Sequence, residues 1–105
     1  MSWLYLLIAS IFEVGWPFGM KMASINEYKS GWIIFAIIAM ALSGIFLYFA
    51  QKTIPIGIAY AIWTGIGAVC TFLLGVLVFQ DTVSTMKVFG VSLIILGVIL
   101  LEVSH

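Results

Sequence analysis

Charge is so sparse along this chain that its spacing dictates the fold. Between Lys29 and Lys52 there are 22 uncharged residues, and between Lys52 and Asp81 there are 28. A helix needs about 20 residues to cross a hydrocarbon core, so each stretch is long enough for one span. Trp3 to Met20 is a third, interrupted only by Glu13. Val88 to Leu101 becomes a fourth if Ser84 to Lys87 begin the helix and Glu102 to Ser104 end it at the interface. Inside lipid the backbone must satisfy its own hydrogen bonds, which restricts these spans to helices. The predicted architecture is therefore an all-α membrane protein of one domain over residues 1–105. Its four helices are expected at about 3–20, 31–50, 56–79 and 85–103.

Composition agrees with this. The chain is 65% hydrophobic and 8% charged, where soluble domains average about 45–50% apolar. A formal net charge of zero offers no basic surface, so nucleic acid is set aside as a partner. Cys70 stands alone, which excludes an intrachain disulfide and argues for a small buried hydrophobe. There is no metal-ligand cluster, no phosphate-binding glycine loop and no nucleophile with a histidine base, so neither metal, cofactor nor enzyme activity is expected. The short connections, Lys21–Ser30, Gln51–Pro55 and Phe79–Thr85, leave no room for a soluble domain.

Orientation is weakly instructed. Lys21, Lys29 and Lys87 fall on one side, against Lys52 and the α-amino group on the other, a small positive-inside bias. Either insertion direction is open to the chain. Secondary transporters commonly alternate access through inverted repeats, and no internal repeat is found here. Two copies inserted in opposite directions would supply the missing half.

Glu13 is the only carboxylate or amine inside the four apolar stretches, and it lies near the middle of the first. A charge there costs roughly 2.5–3.5 kcal/mol on insertion scales, so it marks a candidate functional site; the alternative is a side chain that snorkels to the headgroups. Residues three and four away share its face: Ala9, Ser10, Trp16 and Pro17. The Trp16 indole N–H can donate to the carboxylate, or the ring can simply fill space. Pro17 lacks the N–H that would bond the Glu13 carbonyl, which either exposes an acceptor beside the carboxylate or only serves packing. Ser43, in the middle of the second helix, can bond back to its own helix or orient Glu13. The third helix sets Tyr60, Trp63, Thr64 and Gly67 at helical spacing. Gly57, Ala61 and Gly65 recur every four residues, a pattern for close packing, and Gly65 with Gly67 makes a flex point. In the fourth helix, Gly90 and Gly97 lie seven apart on one face, as in a dimer contact. Desolvation disfavours the charged form of a carboxylate, so a proton and an organic cation would compete for Glu13.

The patterns IFEVGWPFGMK and PIGIAYAIWTGIGA, the spacing of Gly90 and Gly97, and the overall length resemble the small multidrug resistance family over essentially the whole chain. That resemblance implies a multi-pass protein of the bacterial inner membrane, working as an antiparallel, dual-topology homodimer embedded in the lipid bilayer; some relatives pair with a paralogue. It implies that Glu13 is the shared proton and substrate site, that Tyr60 and Trp63 line the cavity, and that Gly65 and Gly67 bend the third helix. Trp16 and Ser43 are similar to the guanidinium exporter subtype, while Ser10, Pro17 and Glu102 depart from it. The expected activity is proton-coupled export of small organic cations, guanidinium-type first. Alternatives are a quaternary ammonium or multidrug exporter of the same family, and a non-transporting membrane subunit in which Glu13 pairs with a partner's Lys or Arg.

Overall fold

A computed structural model describes residues 1–104. Four helices make up nearly all of it: α1 (Ser2–Ile25), α2 (Lys29–Ala50), α3 (Ile56–Val78) and α4 (Thr85–Ser104). Each is long and apolar enough to span a bilayer, and among the described residues there is no strand. The chain is a multi-pass membrane protein.

The first helix runs five residues past the expected Met20, so Lys21 lies within it and the first connection shrinks to three residues, 26–28. Lys, Met and Ala are good helix formers, and a lysine at a span's edge can keep its stem on apolar surface while its head reaches water. The Lys21 ammonium sits 5.8 Å from the centroid of the Phe79 ring. At the helix end, Asn26 satisfies the Met22 carbonyl with both its backbone N–H (3.0 Å) and its side-chain amide (2.9 Å), and Lys29 Nζ donates to the Ala23 carbonyl at 3.0 Å. These bonds take up carbonyls that a helix end leaves unpaired.

In hydrocarbon, helices associate through close van der Waals packing rather than burial from water. The α1–α2 contact is built that way. A Cβ placed on Gly15 would lie 2.9 Å from Ala39 Cβ, and one on Gly19 would lie 2.9 Å from the Phe35 ring and 3.1 Å from the Trp32 carbonyl. Ala36, Ala39 and Ser43, all buried, form the facing stripe of α2. On α3 the expected small-residue series is only partly used. Gly65 meets Val98 of α4, but Gly57 meets nothing and Ala61 is exposed.

The apolar core gathers at one end, where Leu6, Ala50, Ile54, Ala59 and Ile62 pack with Trp3, Leu47 and Ile66 around them. The Ser2 and Thr53 hydroxyls are hydrogen-bonded at the same end. Toward the other end α1 and α3 leave a groove between them. The whole measures 45 × 35 × 16 Å. One helix with side chains is about 10–12 Å across, so the helices form a slab and not a closed bundle. α4 lies against α3, and none of its residues is buried.

Candidate functional site

Glu13 sits midway along α1, half-buried, and its carboxylate accepts a hydrogen bond from the Trp16 indole N–H. The pairing follows from the helix, since residues three apart share a face. Pro17 lies inside the uninterrupted α1; it has no N–H to offer, so the Glu13 carbonyl lacks its partner in the helix ladder. Two acceptors of one residue thus lie on neighbouring turns. From α3, Gly67 is pressed so close that an added Cβ would stand 2.7 Å from Glu13 Cγ.

These residues border a groove of about 290 Å³, open along one side and lined by Glu13, Trp16, Pro17, Thr64, Gly67, Ala68 and Thr71. Thr64 stood out in the sequence only by its helical spacing with Tyr60, Trp63 and Gly67, and Ala68 and Thr71 were not among the residues expected here. The signal for them is their spacing, because 64, 67, 68 and 71 fall on one helical face in a segment of otherwise mostly large apolar side chains.

The other expected residues are distributed differently. Ser43 does not reach Glu13, nor does it bond its own helix; it donates across to the Ala9 carbonyl of α1 at 2.7 Å. Trp63 Nε1 in turn donates to Ser43 Oγ at 2.8 Å and to the same Ala9 carbonyl at 3.3 Å. Three helices are tied at one oxygen. That carbonyl is the one that faces the Glu13 N–H in the ladder, so Ser43 and Trp63 fix the turn that carries Glu13 without touching its carboxylate. A buried hydroxyl needs a partner, and Ser43 finds its acceptor on the neighbouring helix. Ser10 is fully buried and donates back to the Leu6 carbonyl at 2.8 Å, so it stands behind the groove and does not line it. Tyr60 is 57% exposed, with its ring tilted on Trp63 at 5.3 Å between centroids; it faces outward from the chain. Gly65 and Gly67 both lie within continuous α3, and what they provide there is room, for Val98 and for Glu13. Gly90 and Gly97 are open, with nothing within 4 Å of an added Cβ.

Chemically, the groove offers a carboxylate with one indole donor, a carbonyl without a ladder partner and two threonine hydroxyls. That set can receive a small cation rich in N–H groups. Among the described residues no group of three His, Cys, Asp or Glu comes together to hold a metal ion.

A family model described as "Small Multidrug Resistance protein" matches residues 1–94. A protein of Salmonella typhi named "Guanidinium exporter" is 42% identical over 104 residues, covering 99% of this chain and 98% of its own length. Proteins with the same name from Yersinia pestis (38% over 104 residues, 99% of each chain) and Citrobacter freundii (39% over 109 residues, 99% and 98%) are similar to it as well.

Proposed function

The chain belongs to the small multidrug resistance family, and we propose that it exports guanidinium-type cations across the bacterial inner membrane in exchange for protons, as an antiparallel homodimer. The observation that carries this reading is the acceptor set at Glu13. Guanidinium presents planar N–H donors that match a carboxylate in bidentate fashion, and the Glu13 carbonyl and Thr hydroxyls add acceptors around it. The names of the full-length relatives point the same way. In the proposed cycle a cation at Glu13 displaces protons on the inside, and protons displace the cation on the outside. Two copies would bring two Glu13 carboxylates to one cavity, and their protons would then come off in steps that belong to the pair. Trp16 holds the carboxylate, Ser43 and Trp63 hold its helix turn, and Tyr60 meets the substrate from the outward face. Gly65 and Gly67 would let α3 bend.

The dimer reading is supported by the slab shape, by an α4 without buried residues, and by Gly90 and Gly97 left open on it. It predicts dual topology. Single reporter cysteines in the connections, on a Cys70→Ala background, are expected to label from both sides of the membrane in about equal amounts. Labelling from one side alone would instead indicate a parallel assembly or a paralogous partner.

Substrate class is tested by reconstitution into liposomes, with guanidinium and tetraalkylammonium gradients compared side by side. A quaternary ammonium has no N–H and must rely on cation–π contact and apolar burial. Guanidinium is expected to drive proton movement, and bulky tetraalkylammonium ions to drive it poorly. Robust tetraalkylammonium exchange without a guanidinium response would make the chain a multidrug exporter, and no coupled proton movement with either would make it a non-transporting subunit.

A further inference from the structure

Beside the Glu13 groove lies a second cavity of about 190 Å³, between the end of α1 and the α3–α4 connection. The two share Pro17 and Thr71 in their walls, so they form one continuous trough between α1 and α3. Its register is visible in the sequence. On α1, Glu13, Pro17 and Lys21 are four apart and share a face; on α3, Thr64, Gly67, Thr71, Leu74 and Gly75 fall on one face at spacings of three and four. From Glu13 to Lys21 the trough runs about 12 Å along the helix axis, at 1.5 Å per residue.

At its far end stands Asp81, and the chain is built to put it there. Gln80 adopts a left-handed backbone, φ 61°, a conformation that non-glycine residues adopt uncommonly. The turn folds the chain back so that the Asp81 N–H bonds the Gly75 carbonyl at 3.0 Å, a carbonyl that also accepts from Phe79 at 3.1 Å. The Asp81 carboxylate then rests on the bare face of Gly75. One of its oxygens occupies the space that a Cβ at position 75 would take, so any other residue at 75 would push it away. Lys21, in the wall of the same cavity, is the opposing charge. Lys87 is engaged on the loop, donating to the Thr82 carbonyl at 3.0 Å and to the Thr82 hydroxyl at 2.9 Å.

We infer that Asp81 forms an outer docking point for the transported cation at the mouth of this trough, from which the cation passes along Pro17 and Thr71 to Glu13. The inference rests on the transport reading above and extends it to a second position on the same path. A carboxylate at a mouth with low-dielectric walls raises the local concentration of cations and their rate of entry; it is screened by salt. Asp81 therefore governs capture, while Glu13 governs exchange.

The test uses the full chain in liposomes, with initial rates of guanidinium-driven proton movement measured against guanidinium concentration at low and high sodium chloride. Asp81→Asn is expected to raise the apparent KM about twofold to fivefold at low salt, the range for one exposed charge pair. The maximal rate should be unchanged, and the difference should collapse at high salt. Asp81→Glu should restore most of the capture, and Lys21→Gln should move the KM in the opposite direction. If Asp81→Asn fails to insert, the Lys21→Gln shift decides alone: a lowered KM supports the docking point and an unmoved one overturns it. An Asp81→Asn protein with the wild-type KM at low salt, or with only its maximal rate reduced, overturns it too, while leaving the transport reading intact. Absence of guanidinium-driven proton movement in the wild-type protein would end that reading, and the docking point with it.

Discussion

Glu13→Gln is expected to reduce cation-driven proton movement to the level of empty liposomes, while the protein still inserts and keeps its detergent-extracted size. The substitution preserves the shape of the side chain and, in the amide oxygen, an acceptor for the Trp16 indole, so the local packing has little reason to change. What it removes is the titratable group and the negative charge on which the proposed exchange depends. Hydrogen bonds to charged groups contribute about 1.5–3 kcal/mol each, so cation affinity should also fall on the order of tenfold to a hundredfold. Glu13→Asp separates the two effects. It keeps the titrating group but withdraws the carboxylate by one methylene, so it should retain coupling with a weakened affinity. Full exchange in the Gln variant would end the mechanism proposed here.

Much of the architecture is legible because charge is so costly in hydrocarbon that its spacing sets the spans. The ends were less legible. Lys21 reads as a boundary if charge alone marks one, yet a lysine can keep its ammonium at the interface while the helix continues beneath it, and α1 runs on to Ile25. Packing partners were less legible still. Periodicity says which residues share a face and says nothing of what that face meets. The small-residue contact falls between Gly15 or Gly19 and α2, and not along the Gly57, Ala61 and Gly65 series of α3, of which only Gly65 is used.

Within the site, the bond from Trp16 to Glu13 was readable because both partners lie on one helix at a fixed spacing. The bonds of Ser43 and Trp63 to Ala9 were not. They join three helices at a backbone oxygen, and a main-chain carbonyl carries no signature in the residue alphabet. Ala9 has the least informative side chain in the arrangement and supplies its central acceptor. The threonines of α3 were visible as a spacing, but their role depends on which side of α3 faces α1, a fact of tertiary structure.

Gly67→Ala is the second substitution expected to have a large effect, and it separates two roles for the glycines of α3. The added methyl would stand 2.7 Å from Glu13 Cγ and 3.4 Å from its Cβ. Those atoms are held close to the backbone, so they cannot yield as the end of a long side chain can. Either the carboxylate swings away from Trp16 or α1 and α3 move apart. Overpacking of this kind costs about 1–3 kcal/mol. If that cost falls on the transport-competent arrangement, guanidinium exchange should drop on the order of tenfold or more. Gly65→Ala is the comparison, since its methyl would meet Val98 Cγ2 at 2.6 Å, away from the carboxylate. It should lower the thermal stability of the detergent-solubilised protein and leave the apparent KM for guanidinium nearly unchanged. Were bending of α3 at these two glycines the dominant requirement, both alanines would remove a similar amount of backbone freedom and would slow transport alike. A large loss in Gly67→Ala with little loss in Gly65→Ala is the expected result, because of the two only residue 67 touches Glu13, the side chain proposed to bind the cation.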